Sequence, residues 1–166
     1  EALKLFAKLY KTGKPLPAKL LDKVIAAKNF QAGMANINQL RYANLDLKWH
    51  SQNPSKIKDV TEWENEAIEP YRLMPKVAGT LISTSFAHIF AGGYSAGYYS
   101  YKWAEALEAD AWSAFAEQGI FNPELGNSFR RNILERGNSF HPMQLFVAFR
   151  GRKPDPDALL KREGLL

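Results

Sequence analysis

Apolar residues recur every three or four positions along most of the chain, and no pair of segments alternates as paired strands do. Glycine and proline punctuate this pattern, because glycine commonly ends a helix and proline is accepted in the first turn. The sequence therefore predicts a mainly α, multi-helix fold without internal repeats. The predicted helices cover residues 3–10, a segment that follows Pro17, residues 29–50, 61–71, 94–118, 122–137 and 142–149, and a terminal segment that ends before Gly164.

Several of these helices carry apolar residues on one side, which we expect to face a core. The expected apolar positions are Leu3, Phe6 and Tyr10 in the first helix; Leu20, Leu21, Val24 and Ile25 in the second; Phe30, Met34, Ile37, Leu40 and Leu45 in the third; and Trp103, Leu107, Ala111, Ala114 and Phe115 in the long helix.

Polar residues at helix ends are assigned capping or dipole roles. Thr61 has N-cap chemistry, and Glu64 follows it at the spacing of a capping box. Asp157 is the predicted cap of the last helix. His50 ends the third helix, where an imidazole interacts favourably with the helix dipole, so we expect no chemical role for it.

The stretch Phe86–Trp103 departs from the helical pattern, because its eighteen residues include one histidine, three glycines and four tyrosines. The segment 74–85 is predicted to be an extended loop that brings His88 to this stretch. Gly92 and Gly93 allow a positive φ or a close backbone approach. A helix from Tyr94 onwards would align three phenol groups on one face, those of Tyr94, Tyr98 and Tyr101.

Phenol groups are protonated near neutral pH, so they donate hydrogen bonds without adding charge. A histidine, a glycine hinge and several phenol donors suit a site that binds a peptide backbone or a developing oxyanion. The same residues also fit a structural role, since aromatic residues at helical spacing commonly belong to a core and tyrosine favours half-wet surfaces. The residues alone leave both interpretations open.

The run from His88 to Tyr94, followed by Ala96–Tyr101 and Trp103, resembles the glycine- and tyrosine-rich segment of the thimet oligopeptidase family. Within these zinc metallopeptidases it is closest to the bacterial oligopeptidase A group, with dipeptidyl carboxypeptidases as near relatives. The resemblance continues through Asp110 to the run Phe149–Pro154, and it covers nearly the whole chain. It implies that residues 1–166 form a single helical segment, the C-terminal part of a zincin-type catalytic domain, with a glycine-rich loop leading into a long tyrosine-bearing helix.

The resemblance also implies residue roles. His88 and Tyr101 match catalytic residues that donate hydrogen bonds to the scissile carbonyl or its oxyanion. Tyr94 matches a residue that contacts the bound peptide, and Tyr98 is a further substrate-binding candidate on the same predicted face. Gly92 and Gly93 are expected to permit movement of the loop when short peptide substrates bind.

The zinc ligands of the resembling family are missing. Such enzymes hold zinc with two histidines of an HExxH helix and a further glutamate. This chain has only His50, His88 and His141, no two of them four residues apart, and it has no cysteine. We therefore expect no metal ligand in this chain, zinc only in the full-length enzyme, and an inactive chain when isolated from the remainder of the polypeptide.

Composition narrows the function further. An apolar content of 46% with 13% aromatic residues favours an ordered domain. The net charge of +5 is spread thinly without a basic block, so no nucleic-acid partner is expected. No apolar run reaches the roughly 18 residues of a membrane span, and no signal peptide is visible. The absence of cysteine excludes disulfides and fits a reducing compartment; with the resemblance, it favours a cytoplasmic location.

Other function classes stay open at this stage. The chain could be a non-catalytic peptide-binding module, or a purely structural helical domain whose tyrosines belong to the core. A separate zinc-bearing subunit is also conceivable. Within the peptidase interpretation, the sequence leaves open whether the action is that of an endopeptidase or of a dipeptidyl carboxypeptidase.

Overall fold

The computed structural model describes residues 2–166, and the regular structure of these residues is helical apart from one isolated bridge between Lys8 and Pro15. The predicted mainly α class is confirmed. The helices are α1 (Ala2–Phe6), α2 (Ala18–Lys28), α3 (Ala32–His50), α4 (Val60–Ile68), α5 (Ala87–Phe90), α6 (Ser100–Gln118), α7 (Pro123–Phe129), α8 (Pro142–Arg150) and α9 (Asp157–Arg162). Short 3-10 turns cover Pro54–Lys56 and Glu69–Tyr71, and a π-helical turn covers Arg130–Leu134.

The chain divides into two compact units. Residues Gly33–Ala104 form one of them, here called the central unit. Residues 2–32 and the segment Glu105–Leu166 form the other, here called the terminal unit. Each has its own apolar core.

The core of the central unit is formed where α3, α4 and the segment around α5 meet. Its buried members are Leu45, Ala67, Ile68, Phe86 and Ile89. Two tryptophans extend this core, since the rings of Trp49 and Trp63 lie 4.0 Å apart. The indole N–H of Trp49 also donates a 2.8 Å hydrogen bond to the hydroxyl of Ser83. This core supports the stretch that contains His88.

The core of the terminal unit joins α6, α7 and α8. Ala111 and Ala114 of α6 are small enough to let larger side chains approach, and the other buried members of the cluster are Leu125, Phe146 and Phe149. Phe115 and Phe129 pack against this cluster at its edge. The long helix thus contributes its C-terminal two thirds to this core, as its apolar spacing predicts.

The apolar residues of the first two predicted helices were expected to face a core, but most of them are exposed. Helix α1 ends at Phe6, and its apolar residues are exposed. Helix α2 follows Pro17 as predicted, but none of its residues is buried, and Val24 and Ile25 are more than half exposed. Amphipathic spacing predicts a helix and its apolar side, but it does not determine whether another element packs against that side.

Two long helices begin later than predicted. Helix α3 begins at Ala32, and Phe30 is 76% exposed instead of facing inward. Helix α6 begins at Ser100 and not at Tyr94, because Ala96 has a left-handed φ of +54° that a helix does not accommodate. Trp103 is exposed, contrary to expectation. The predicted end of α6 at Gln118 is confirmed, and Gly119 follows with a φ of +105°.

Two capping assignments were wrong. Asp59 is the N-cap of α4, since its carboxylate accepts the N–H groups of Thr61 at 2.7 Å and Glu62 at 3.0 Å. Glu64 does not complete a capping box, because its buried carboxylate accepts the N–H of Ile82 instead. Asp157 does not cap α9. Instead, the carboxylate of Asp155 accepts a hydrogen bond from the N–H of Asp157 at 3.0 Å.

Candidate functional site

The glycine pair lies in a tight turn that leaves the C-terminal end of α5. The N–H of Gly92 donates to the carbonyl of Ala87 at 2.9 Å, and the N–H of Tyr94 donates to the carbonyl of His88 at 3.1 Å. These bonds fold the chain back over α5 immediately after His88. The turn therefore brings Tyr94 next to His88, with ring centroids 6.2 Å apart.

The two glycines are required for different reasons. A Cβ on Gly92 would lie 2.7 Å from the Cα of His88 and 2.9 Å from its carbonyl oxygen, so the backbone would have to move. Gly93 has open space around it but a φ of +82°, which favours a residue without a Cβ. The close approach at Gly92 and the left-handed turn at Gly93 together fix the reversal of the chain.

The structure brings the predicted tyrosines together, although not on one helical face as the spacing suggested. Only Tyr101 lies in α6; Tyr94 and Tyr98 are the ends of the non-helical segment Tyr94–Tyr98, here called the tyrosine turn. The rings of Tyr94 and Tyr101 are stacked at 5.3 Å, and the ring of Tyr98 lies 5.1 Å from that of Tyr101. Tyr101 therefore sits against both ends of the turn.

The exposed side of the cluster differs from its inner side. His88 is exposed and Tyr101 is 41% exposed, so both residues are accessible to solvent. Tyr98 is half-buried, with its ring 4.9 Å from that of Phe86 and 6.0 Å from that of Tyr42. Tyr98 thus joins the aromatic packing beneath the site, while His88 and Tyr101 are accessible to a ligand.

Two phenol groups of the cluster, those of Tyr98 and Tyr101, are held in their protonated form. A hydrogen bond with Tyr94 is the main cause that raises the pKa of Tyr101, and the loss of hydration and the neighbouring phenols act in the same direction. Burial is the main cause that raises the pKa of Tyr98. Since an ordinary phenol already has a pKa of about 10, both groups are neutral hydrogen-bond donors at neutral pH.

Asp46 holds the tyrosine turn from below, and the sequence analysis did not select it. It lies on α3 and is fully buried. One carboxylate oxygen accepts the N–H of Ala96 at 2.9 Å, and the other accepts the N–H of Tyr98 at 2.8 Å. The nearest sequence signal was the i, i+4 spacing to His50, whose Nδ1 lies 2.9 Å from both the carbonyl and the carboxylate oxygen of Asp46.

Glu64 anchors a second loop of the central unit in the same way. Its side chain is 2% exposed, and its two oxygens accept the N–H groups of Ile82 at 2.8 Å and Ser83 at 2.7 Å. The predicted extended loop 74–85 is therefore fixed near its end by α4. Neither partner of Glu64 belongs to the tyrosine turn.

The terminal unit contains a separate ionic network around the fully buried Asp110. Its carboxylate accepts hydrogen bonds from Arg150 at 3.1 Å, from Arg152 at 2.6 and 2.8 Å, and from the N–H of Asp155 at 2.7 Å. Burial by itself raises the pKa of this carboxyl, but the hydrogen bonds from Arg152, Asp155 and Arg150 outweigh it and hold the pKa below its usual range. The run Phe149–Pro154 therefore has a structural role, because its two arginines attach it to Asp110 of α6.

The residues that the structure describes do not fit a zinc site. The Nδ1 of His50 is engaged with Asp46, and that of His141 accepts the N–H of Met143 at 3.2 Å as the cap of α8. Among residues 2–166, no group of three or more histidine, cysteine, aspartate or glutamate side chains could hold a metal ion. In the same residues, no helix has both the length and the apolar character needed to cross a membrane.

Comparison with known proteins identifies the family. The family model described as "Peptidase family M3" matches residues 1–165. Oligopeptidase A of Salmonella typhimurium is 47% identical over 166 residues, which cover 99% of this chain and 24% of that protein. Oligopeptidase A of Escherichia coli is 46% identical over the same coverage. Dipeptidyl carboxypeptidase of Salmonella typhimurium is 38% identical over 162 residues, 96% of this chain and 24% of that protein.

The chain therefore spans about a quarter of the length of these curated relatives, 24% in each case. The match extends from the first helix to the last, so it includes the glycine pair, the tyrosines and the anchoring carboxylates. The predicted resemblance to the oligopeptidases is confirmed. This chain belongs to peptidase family M3.

Proposed function

We propose that the chain is the C-terminal substrate-binding and transition-state-stabilising part of a zinc metallopeptidase that hydrolyses peptide bonds in short oligopeptides. Membership of peptidase family M3 and 47% identity to an oligopeptidase A support this proposal. Since the chain covers 24% of that relative and residues 2–166 do not fit a zinc site, the metal ligands would lie in the rest of a longer cytoplasmic polypeptide. The isolated chain would then be inactive.

The observation that carries the proposal is the accessible pair of donors, His88 and Tyr101, beside the glycine turn. Tyr101 is 41% exposed, and its raised pKa keeps the phenol protonated as a donor. The ring of Tyr101 is stacked on that of Tyr94 at 5.3 Å, and the phenol of Tyr101 would donate its hydrogen bond to a peptide carbonyl when the peptide binds. Such a donor stabilises the oxyanion more than the carbonyl that precedes it, because charge develops on the oxygen.

The surrounding residues would bind the peptide. Tyr94 lies between His88 and Tyr101 and contributes a second phenol next to the donor pair. Gly92 and Gly93 would let the turn adjust when the peptide enters. Tyr98 is half-buried, so we assign it a weaker substrate-binding role that includes support of the Tyr101 ring.

The first experiment compares this chain with the longer polypeptide by elemental analysis for zinc and by cleavage of a quenched-fluorescent peptide. We expect stoichiometric zinc and cleavage only in the longer protein. Zinc and cleavage in the 166-residue chain would overturn the division of roles proposed here. Peptide affinity without zinc or cleavage in the longer protein would instead identify a non-catalytic peptide-binding module.

Tyr101→Phe in the longer protein removes one donor without changing the ring. Loss of one oxyanion donor typically lowers kcat by about 100-fold or more, and we expect that loss with little change in KM. Tyr99→Phe is the matched control, because Tyr99 is an exposed neighbouring tyrosine without a ring contact in the described cluster. A Tyr101→Phe variant with near-normal kcat would remove Tyr101 from the proposed mechanism.

A further inference from the structure

Asp46 connects helix α3 to the tyrosine turn through both of its carboxylate oxygens. Its side chain is fully buried, and the hydrogen bonds to the N–H groups of Ala96 and Tyr98 measure 2.9 and 2.8 Å. Hydrogen bonds to an ionised carboxylate are shorter and stronger than those between neutral groups. The position of the turn is therefore set by α3, a nineteen-residue helix.

The turn needs such an anchor because its backbone is strained. Ala96 has a φ of +54°, a conformation that costs an alanine roughly 1–2 kcal/mol. Strained residues of this kind persist only where their surroundings hold them. Ser95 supplies a second anchor on the other side, since its hydroxyl donates a 2.6 Å hydrogen bond to the carbonyl of Ile89.

The anchored backbone carries the two rings that hold Tyr101. The ring of Tyr94 is stacked on that of Tyr101 at 5.3 Å, and the ring of Tyr98 lies at 5.1 Å. A displacement of the turn would therefore move both neighbours of the Tyr101 phenol at once. Small displacements matter in such sites, because a misplacement of about 1 Å can lower a catalytic rate by about 100-fold.

We infer that Asp46 is a positioning residue, which fixes the tyrosine turn so that the phenol of Tyr101 points at the bound peptide. The inference rests on the proposed function. Asp46 itself contacts no substrate, since it is fully buried below the turn. Its effect on the reaction passes through the backbone of residues 96–98 and the rings on either side of Tyr101.

A double-mutant cycle in the longer protein tests the inference. Asp46→Asn keeps the size of the side chain, but the amide nitrogen then faces one of the two N–H groups and repels it. We expect kcat/KM to fall about tenfold or more, mainly through kcat, because a displaced turn misplaces the Tyr101 phenol in the transition state. In a Tyr101→Phe background the same change should cost less than about threefold, because the donor that Asp46 positions is already gone.

Glu64→Gln is the matched control. Glu64 is equally buried in the same unit and also accepts two backbone N–H groups, but those belong to Ile82 and Ser83. Its effect on kcat/KM, whatever its size, should be the same in the wild-type and Tyr101→Phe backgrounds. Equal effects of Asp46→Asn in the two backgrounds would show that Asp46 only supports the fold, and the inference would be wrong.

Ser95→Ala covers the case in which Asp46→Asn does not fold. It loosens the same turn without changing a buried charge, so the same non-additivity with Tyr101→Phe is expected at a smaller size. Additive effects there would also overturn the inference. An inactive wild-type protein would refute the proposed function itself, and with it the inference, whereas additivity in an active protein refutes the inference alone.

Discussion

The two units each contain a fully buried aspartate, but the partners of the two carboxylates differ in kind. Asp110 in the terminal unit is neutralised by the guanidinium groups of Arg150 and Arg152. Asp46 in the central unit is held mainly by the backbone N–H groups of Ala96 and Tyr98. The first arrangement joins distant segments by charge. The second fixes a backbone turn without bringing an arginine or lysine side chain to that turn.

This difference matters for the proposed site. The causes that raise the pKa of Tyr101 are the hydrogen bond with Tyr94, the loss of hydration and the neighbouring phenols, so the phenol of Tyr101 stays a neutral donor beside this turn. An arginine in place of the N–H anchor would lower the pKa of such phenols. The buried carboxylate of the central unit therefore mainly fixes a backbone turn, whereas that of the terminal unit joins distant segments.

The largest expected effect is a difference in the free energy of unfolding between variants of Asp110 and Asp46. Asp110→Asn removes the buried counter-ion that Arg150 and Arg152 share. Breaking a buried pair costs about 3–5 kcal/mol, and we expect the lower end of that range, because Arg152 is 44% exposed and Arg150 keeps Glu117 at 3.8 Å. Asp46→Asn retains one acceptor oxygen and should cost about 2 kcal/mol, the typical value of a hydrogen bond to a charged group. Urea unfolding at pH 7 gives both free energies; a larger loss for Asp46→Asn would reverse the comparison.

The pH dependence sharpens the same test. The pKa of Asp110 is lowered in the folded chain, so its stabilisation is present above the unfolded pKa of about 4 and is lost as pH falls through the folded value. The cost of Asp110→Asn should therefore shrink as urea unfolding is repeated at successively lower pH below 4. Asp157→Asn, at an exposed position, is the control and should change little at either end of the range.

An intermediate effect is expected at the glycine pair. Gly92→Ala places a Cβ 2.7 Å from the backbone of His88, and overpacking of this kind costs about 1–3 kcal/mol. Gly93→Ala meets open space and only the left-handed φ, which costs about 1 kcal/mol. Gly92→Ala should also lower the proposed peptidase activity of the longer protein more than Gly93→Ala does, because it displaces the backbone of His88 directly. Thermal unfolding and kcat/KM of both variants measure the ranking, and a larger effect at Gly93 would contradict it.

The smallest effect is a gain in stability. Ala96→Gly removes the strain of a left-handed alanine while keeping the N–H that Asp46 accepts. The gain is reduced by the greater freedom of glycine in the unfolded chain, so we expect a net stabilisation of about 0.5 kcal/mol. Differential scanning calorimetry measures the shift, with Ala91→Gly as the control at a negative φ, where a loss is expected. A loss at both positions would mean that Ala96 is not strained.

The sequence predicted local structure where the pattern is local. The C-terminal end of α6, the starts of α2 and α8, and the clustering of His88 with the tyrosines follow from spacing and from the glycine and proline positions. The prediction placed Tyr94 and Tyr98 on a helix because a compact turn can bring residues at i and i+4 together just as a helix does. The positive φ of Ala96, which decides between the two, leaves no trace in an alanine.

The anchoring carboxylates could not be predicted for a different reason. Asp46 and Glu64 resemble any polar residues on amphipathic helices, and their partners lie 50 and 18 residues away. Hydrogen bonds over such separations depend on the packed fold and not on a local pattern. The exposure of Phe30 and of the apolar side of α2 shows the same limit, since spacing defines a side and packing decides whether it is covered.

The position of the partners of Asp110 along the chain has a consequence for the order of folding. Arg150, Arg152 and Asp155 follow Asp110 by 40, 42 and 45 residues. Closing such long loops costs conformational entropy, and an early intermediate that buried Asp110 would contain an unpaired charge. Helix α6 can form from local contacts, but the side that carries Asp110 is completed only when the segment after α8 docks. This docking is therefore the last step that we expect in the assembly of the terminal unit.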